Sequence, residues 1–208
     1  MNAFLPMRIV FLLKLTLLNL MILSLLRVCF YFMYSPAEIA DGVALDIVRA
    51  FYLGGKFDLR LVALCIMPFF FFSKVGLDPV QKKQGKKFWA NFYTFIMALI
   101  LFSYAVDFGT YSYLQTRVNT TLLKFLKNPL ISLEMVWQSY PVIWIGLAFA
   151  FFLLIYKYLL LNQVFVNRKS FEVGEKSWQK KALLWLIAFA FWVGAIYGKF
   201  AWYPLRWS

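Results

Sequence analysis

The 208-residue chain has no histidine, only nine acidic residues, and charged residues at just 15% of its length. Without histidine there is no Ser-His triad, no His-liganded zinc or haem, and no histidine general base. The two cysteines, Cys29 and Cys65, both lie inside apolar runs, which argues against a disulfide framework or a cysteine-cluster metal site. No internal repeat, low-complexity tract or linker interrupts the chain. What is abundant is apolar surface: 63% of the residues are hydrophobic and 21% aromatic. A soluble domain carries about 45–50% apolar and about 25% charged residues, so a soluble core cannot hide this composition. The 22 Lys and Arg residues leave a formal net charge of +13.

A helix needs about 20 mostly apolar residues to cross a bilayer core. The run from Ile9 to Tyr34 meets that requirement, ends at Tyr34-Ser35-Pro36, and is too long for a signal peptide. Further spans are expected at about 57–72, 88–108, 141–161 and 182–203. The fold class is therefore all-α, a polytopic membrane protein of five transmembrane helices forming a single domain over 1–208. Short interfacial amphipathic helices are expected on the outer side. One covers about 43–53, where Val43, Ile47 and Phe51 recur at helical spacing and Gly54-Gly55 is read as the break that ends it. The other outer segment, about 119–140, reads as two short helices, the first capped by Asn119 and the second opening at Asn128-Pro129.

Orientation follows from counting Lys and Arg in the loops. Lys74, Lys82, Lys83, Lys86 and Lys87 follow the second span, and Arg168, Lys169, Lys176, Lys180 and Lys181 follow the fourth. Both sets share a side with Arg8, which predicts a cytoplasmic N-terminus and an extracytoplasmic C-terminus. Glu38, Asp41, Asp46, Asp58, Asp107 and Glu134 fall outside or at the outer rim.

Charges inside spans are the first functional suspects in a membrane protein. Lys14 is expected to snorkel to the cytoplasmic headgroups. Arg27 lies about two turns from the outer end of the first span, where an unpaired Arg costs about 2 kcal/mol. It is expected to snorkel outward, to pair with Asp58 or Asp107, or to contact a lipid phosphate. Lys56, Asp58 and Arg60 form either a solvated helix entrance or a headgroup clamp, with the two cations on phosphate and Asp58 orienting them. Asp107, Tyr111 and Arg117 make a similar rim group, and Trp137 and Tyr140 suit an aromatic anchor. No carboxylate is expected near the midplane, where a proton-coupled transporter would hold one. The cytoplasmic lysines need only anionic lipid, so no nucleic-acid partner is expected.

The order of these blocks resembles the membrane part of the lipoteichoic acid synthase-like family, phosphoglycerol and phosphoethanolamine transferases of the alkaline phosphatase–sulfatase superfamily. The matching pieces are Gly54-Gly55-Lys56-Phe57-Asp58-Leu59 before the second span, and Asp107-Phe108 with Tyr111 and Arg117 after the third. Trp137-Gln138-Ser139-Tyr140-Pro141 opens the fourth span, and Tyr197-Gly198-Lys199 with Tyr203-Pro204-Leu205-Arg206 closes the fifth. The resemblance covers essentially the whole chain. It implies an extracytoplasmic hydrolase-like domain beyond the fifth span, with a threonine nucleophile and a divalent metal, usually manganese. That domain moves a lipid headgroup to a glycan or glycolipid acceptor. Neither nucleophile nor metal ligand has a counterpart before Ser208, so this polypeptide alone is expected to be no enzyme and to hold no cofactor. Its expected partners are membrane phospholipids and the sulfatase-like catalytic domain or subunit. Its expected place is the bacterial inner membrane. On this view Arg27, Lys56, Asp58, Arg60, Asp107, Tyr111, Arg117, Trp137, Tyr140, Lys199 and Arg206 contact the lipid headgroup or brace the catalytic domain. The alternative is a non-catalytic five-span assembly or binding subunit of an envelope complex.

Overall fold

The computed structural model describes residues 7–35, 44–72, 83–119, 129–165 and 178–197. These are all helix, turn or short connection, and no strand occurs among them. In chain order the helices are α1 (Met7–Tyr34), α2 (Ala44–Phe72), α3 (Lys83–Leu114), α4 (Pro129–Ser139), α5 (Val142–Leu159, running on as a π-helical turn over Leu160–Val164) and α6 (Trp178–Tyr197). The chain divides into two compact units, Met1–Phe88 with Asn162–Ser208, and Trp89–Leu161.

Among the described residues three helices are long and apolar enough to cross a membrane: Arg8–Tyr34, Lys83–Leu114 and Val142–Val164. Their outward surfaces are as apolar as their inward ones. On α1, Leu12, Leu15, Asn19 and Leu23 are buried, while Leu13, Leu17, Met21 and Leu25, on the opposite side, are exposed. Only 6% of the apolar stretch of α5 is buried, and Trp144, Leu147, Phe151, Leu154 and Tyr158 stand outward. A helix apolar all round has no stable place in water. In lipid those exposed side chains carry no penalty.

In the first unit α1 and α2 form an antiparallel pair. Phe11 meets Phe69 at a ring separation of 5.0 Å, and Tyr31 meets Phe51 at 5.7 Å. Gly54, Asp58, Val62, Ile66 and Phe69, all buried on α2, repeat at helical spacing and face the buried stripe of α1. The other side of α2 holds α6, where Phe70 sits edge-on to Trp185 and Trp192 at 5.8 and 5.7 Å. At the other end of α1 from Tyr34, Phe165 stacks on Phe11 at 4.9 Å. Lys14 donates to the Gln163 carbonyl in the π-helical turn at 3.0 Å, so a protein carbonyl holds the ammonium expected among headgroups.

In the second unit a γ-like turn joins α4 to α5. The Val142 amide donates to the Tyr140 carbonyl at 2.8 Å across Pro141, whose φ −73° and ψ 69° fit the inverse γ-turn. Proline fixes φ there and cannot extend α4.

Two expectations need correction. The amphipathic segment at 43–53 is not a separate helix, because α2 runs unbroken through Gly54-Gly55 to Phe72 and carries Pro68 inside it. The glycines cost helix stability, about 1 kcal/mol each against alanine, but the packing of α1 against Gly54 offsets that cost. In consequence Asp58 lies mid-helix, about 21 Å from either end of α2, rather than at a helix mouth. Lys83, Lys86 and Lys87 belong to the first turns of α3 and not to a loop. Of the outer segment at 119–140, the helix beginning at Pro129 is present as α4. The helix expected before it, the end of the fifth expected span, and both Lys199 and Arg206 lie outside the described residues.

Candidate functional site: two arginine–carboxylate clasps

Arg27 sits seven residues before the end of α1, on the stripe that faces α2. Its Nη2 donates to the Gly54 carbonyl at 2.9 Å and to Asp58 Oδ1 at 2.7 Å. Gly54 and Asp58 are one turn apart on α2, so their oxygens point the same way toward α1. A Cβ built on Gly54 would fall on the Arg27 guanidinium, whereas one on Gly55 would meet nothing within 4 Å. Glycine at 54 is therefore the cradle of the arginine, and the neighbouring glycine has no such duty.

The Asp58 side chain is only 6% exposed and that of Arg27 26%. Arg27 is the one hydrogen-bond donor to Asp58 among the described residues, and buried Asp58 Oδ2 and Arg27 Nε have no partner there. Of the two carboxylates expected for Arg27, Asp58 is the one it takes. The guanidinium is held by protein and not offered to a phosphate. A buried pair of this kind contributes little net stability, yet loss of one partner leaves a buried charge and is expensive.

The second clasp closes the end of α3. Arg117 donates through Nη2 and Nε to Asp107 Oδ2 at 2.6 and 3.1 Å, while the Val118 amide donates to Oδ1 at 3.1 Å. Gln115, at φ 56°, adopts the left-handed conformation that turns the chain back after α3. Its amide donates to the Tyr111 carbonyl at 2.9 Å. The Tyr140 hydroxyl donates to the Gly109 carbonyl at 3.1 Å, which ties the connection before α5 to the last turns of α3. Asp107 thus orders a turn, with Arg117 largely exposed.

The remaining expected residues are placed individually. The Lys56 ammonium lies 4.6 Å from the centre of the Tyr52 ring, one turn earlier on α2. Arg60 and Tyr111 are half-buried, and Trp137 is exposed on α4. Among the described residues two ion pairs join expected residues, Arg27 with Asp58 and Asp107 with Arg117, one in each unit.

Sequence reasoning missed Gly54 as a functional position. The available signal was its four-residue spacing from Asp58 combined with a buried-stripe arginine on the preceding helix. It also missed Gly109 and Gln163, whose roles are carried by backbone carbonyls that no side-chain motif marks. Among the described residues no group of three or more His, Cys, Asp or Glu side chains is placed to hold a metal ion. The donor set of these segments does not fit a manganese site, and no metal-dependent step is assigned to them. No family model, curated protein or solved structure matches the chain.

Proposed function

We propose that this chain is the membrane-embedded anchor of a phospholipid-dependent headgroup transferase of the phosphoglycerol or phosphoethanolamine type, acting in cell-envelope synthesis. The observation that carries the reading is where the charge and the apolar surface lie. The helices turn large apolar side chains outward, while the Asp58 and Asp107 carboxylates are each held by an arginine of the same fold. Such a chain is built to stand in lipid, and the order of its sequence blocks supplies the transferase class. In this reading α1, α2, α3, α5 and α6 cross a bacterial inner membrane with the N-terminus cytoplasmic and the C-terminus outside, and α4 lies on the outer surface. Arg27 with Asp58 and Asp107 with Arg117 brace the helices, and Lys56 and Arg60 reach the phosphate of the donor lipid. The catalytic threonine and manganese belong to a sulfatase-like domain or subunit.

The test compares washed membranes from cells producing this chain alone with membranes from cells that also produce whatever the same gene or operon encodes after Ser208. Headgroup-labelled phosphatidylglycerol and phosphatidylethanolamine are supplied with manganese, and release of diacylglycerol is followed. The expected result is a carbonate-resistant chain that is inactive alone and active with the downstream part. K56Q/R60Q should then raise the KM for the lipid with kcat little changed. A stop after Ser208 with no hydrolase in the operon, and no lipid turnover, would overturn the transferase reading in favour of an assembly subunit.

A further inference from the structure

We propose that α2 enters the membrane only as the partner of α1, and that the Arg27–Gly54–Asp58 clasp is the insertion lock that permits it. α2 is 29 residues long and yet, among the described residues, is not one of the three helices long and apolar enough to cross a membrane. Its apolar run, Leu59–Phe72, follows immediately on Lys56 and Asp58 and includes Arg60. An acidic residue carried into a span opposes insertion, and the Asp58 side chain is 6% exposed. Among the described residues the cation paired with Asp58 is Arg27, whose Nη2 lies 2.7 Å from Oδ1. Arg27 faces the matching difficulty on α1, so each residue cancels the cost that the other brings.

Three features make this a lock and not a passing contact. The antiparallel register is fixed on both sides of the clasp, by Tyr31 against Phe51 beyond it and by Phe11 against Phe69 below it. Gly54 removes the one side chain that would occupy the guanidinium's place. The arginine's second bond, to the Gly54 carbonyl at 2.9 Å, holds it on α2 through backbone that no rotamer change can withdraw. The unpartnered Nε and Oδ2 leave no reserve contact, so losing the Nη2 bonds leaves Asp58 buried with no donor.

The experiment uses the full chain in cells, with C29S and C65A removing the native thiols and S73C added as a reporter just after α2. A membrane-impermeant maleimide is applied to intact and to permeabilised cells, which reads the side occupied by residue 73 per molecule, whatever the expression level. The unaltered clasp should give labelling from one side only. R27L should lower the ratio of inserted to uninserted α2 by tenfold or more, and G54L should do the same with every charge retained. R27L/D58L should restore single-sided labelling. R27L labelled as the parent, or R27L/D58L no better than R27L, would overturn the proposal. Should R27L be degraded outright, accumulation of R27L/D58L at the parental level supports the lock and its equal loss refutes it. The inference rests on α1 lying in the membrane. Extraction of the parent chain by carbonate would sink that reading, whereas a carbonate-resistant parent with an insensitive R27L sinks the lock alone.

Discussion

Two adjacent glycines provide the sharpest test of how α1 and α2 are held together. Replacing glycine by alanine within a helix normally stabilises by about 1 kcal/mol, because alanine loses less backbone entropy and shields the backbone. Gly55→Ala should follow that rule, since the new Cβ meets nothing within 4 Å. Gly54→Ala should break it. The new methyl would occupy the place of the Arg27 guanidinium, the end of a flexible side chain, which will move rather than clash. Moving ends the bonds at 2.9 Å to Gly54 and 2.7 Å to Asp58. Hydrogen bonds between membrane helices contribute about 0.6–1.7 kcal/mol each, and bonds to charged groups about 1.5–3 kcal/mol. Taking about 1–2 kcal/mol for each of the two, the loss is about 2–4 kcal/mol. After the propensity gain, Gly54→Ala is net destabilising by about 1–3 kcal/mol. The assay is equilibrium unfolding of the purified protein in mixed micelles by SDS titration, followed by tryptophan fluorescence. Arg27→Leu/Gly54→Ala in addition should show the glycine effect reverting toward the stabilising value, because the group that needs the space is gone. Gly54→Ala as stable as Gly55→Ala, or more so, would refute the cradle.

Other substitutions separate the inward from the outward apolar surface and weigh the second clasp. Leu12→Ala removes a side chain with no exposure and should cost about 2–4 kcal/mol, whereas Leu17→Ala, at 62% exposed on the opposite side of α1, should stay within about 0.5 kcal/mol in the same titration. Tyr140→Phe deletes the hydroxyl that donates to Gly109 at 3.1 Å and should cost about 0.5–1.5 kcal/mol, with no effect on thiol labelling after α2. Asp107→Ala should speed amide exchange at Val118 about fivefold, the equivalent of about 1 kcal/mol. Little of that comes from Arg117, whose side chain is 63% exposed and screened by water, so raising the salt concentration should leave the exchange effect in place.

The long apolar helices α1, α3 and α5 were readable from composition and run length, because a stretch of about 20 apolar residues has few alternatives. The start of α4 at Pro129 was readable too, since proline lacks the amide that a first helical turn cannot use. The amphipathic segment and the span after it were read as two elements because glycine pairs break most helices. Here the pair is kept helical by a residue 27 positions earlier in the chain, and local propensity carries no trace of that. The same long-range contact decided which acid Arg27 takes. A list of charges offers Asp58 and Asp107 equally, and only the antiparallel register of α1 on α2 brings Asp58 opposite the arginine.

That register also bears on what Asp58 can do. A carboxylate in the middle of a 29-residue helix is the kind of group that proton-coupled carriers use. A carrier's carboxylate must exchange its partner during the cycle, which requires the partner to have somewhere else to go at little cost. Arg27 is held by two oxygens one turn apart on the same helix as the carboxylate, and one of them is backbone. Releasing Asp58 from the guanidinium would mean dragging the arginine off Gly54, or parting α1 from α2 along a stripe of buried leucine, isoleucine and phenylalanine that includes Leu15, Leu23, Ile66 and Phe69. The unpartnered Oδ2 offers no second protein donor to share that cost. The geometry therefore favours a fixed clasp over a moving one. Asp58→Asn leaves the guanidinium without a counter-charge and should loosen the α1–α2 pair, whereas Arg27→Leu/Asp58→Leu, which removes both charges, should keep the fold and any lipid-dependent activity, an outcome that a carrier built on this carboxylate could not survive.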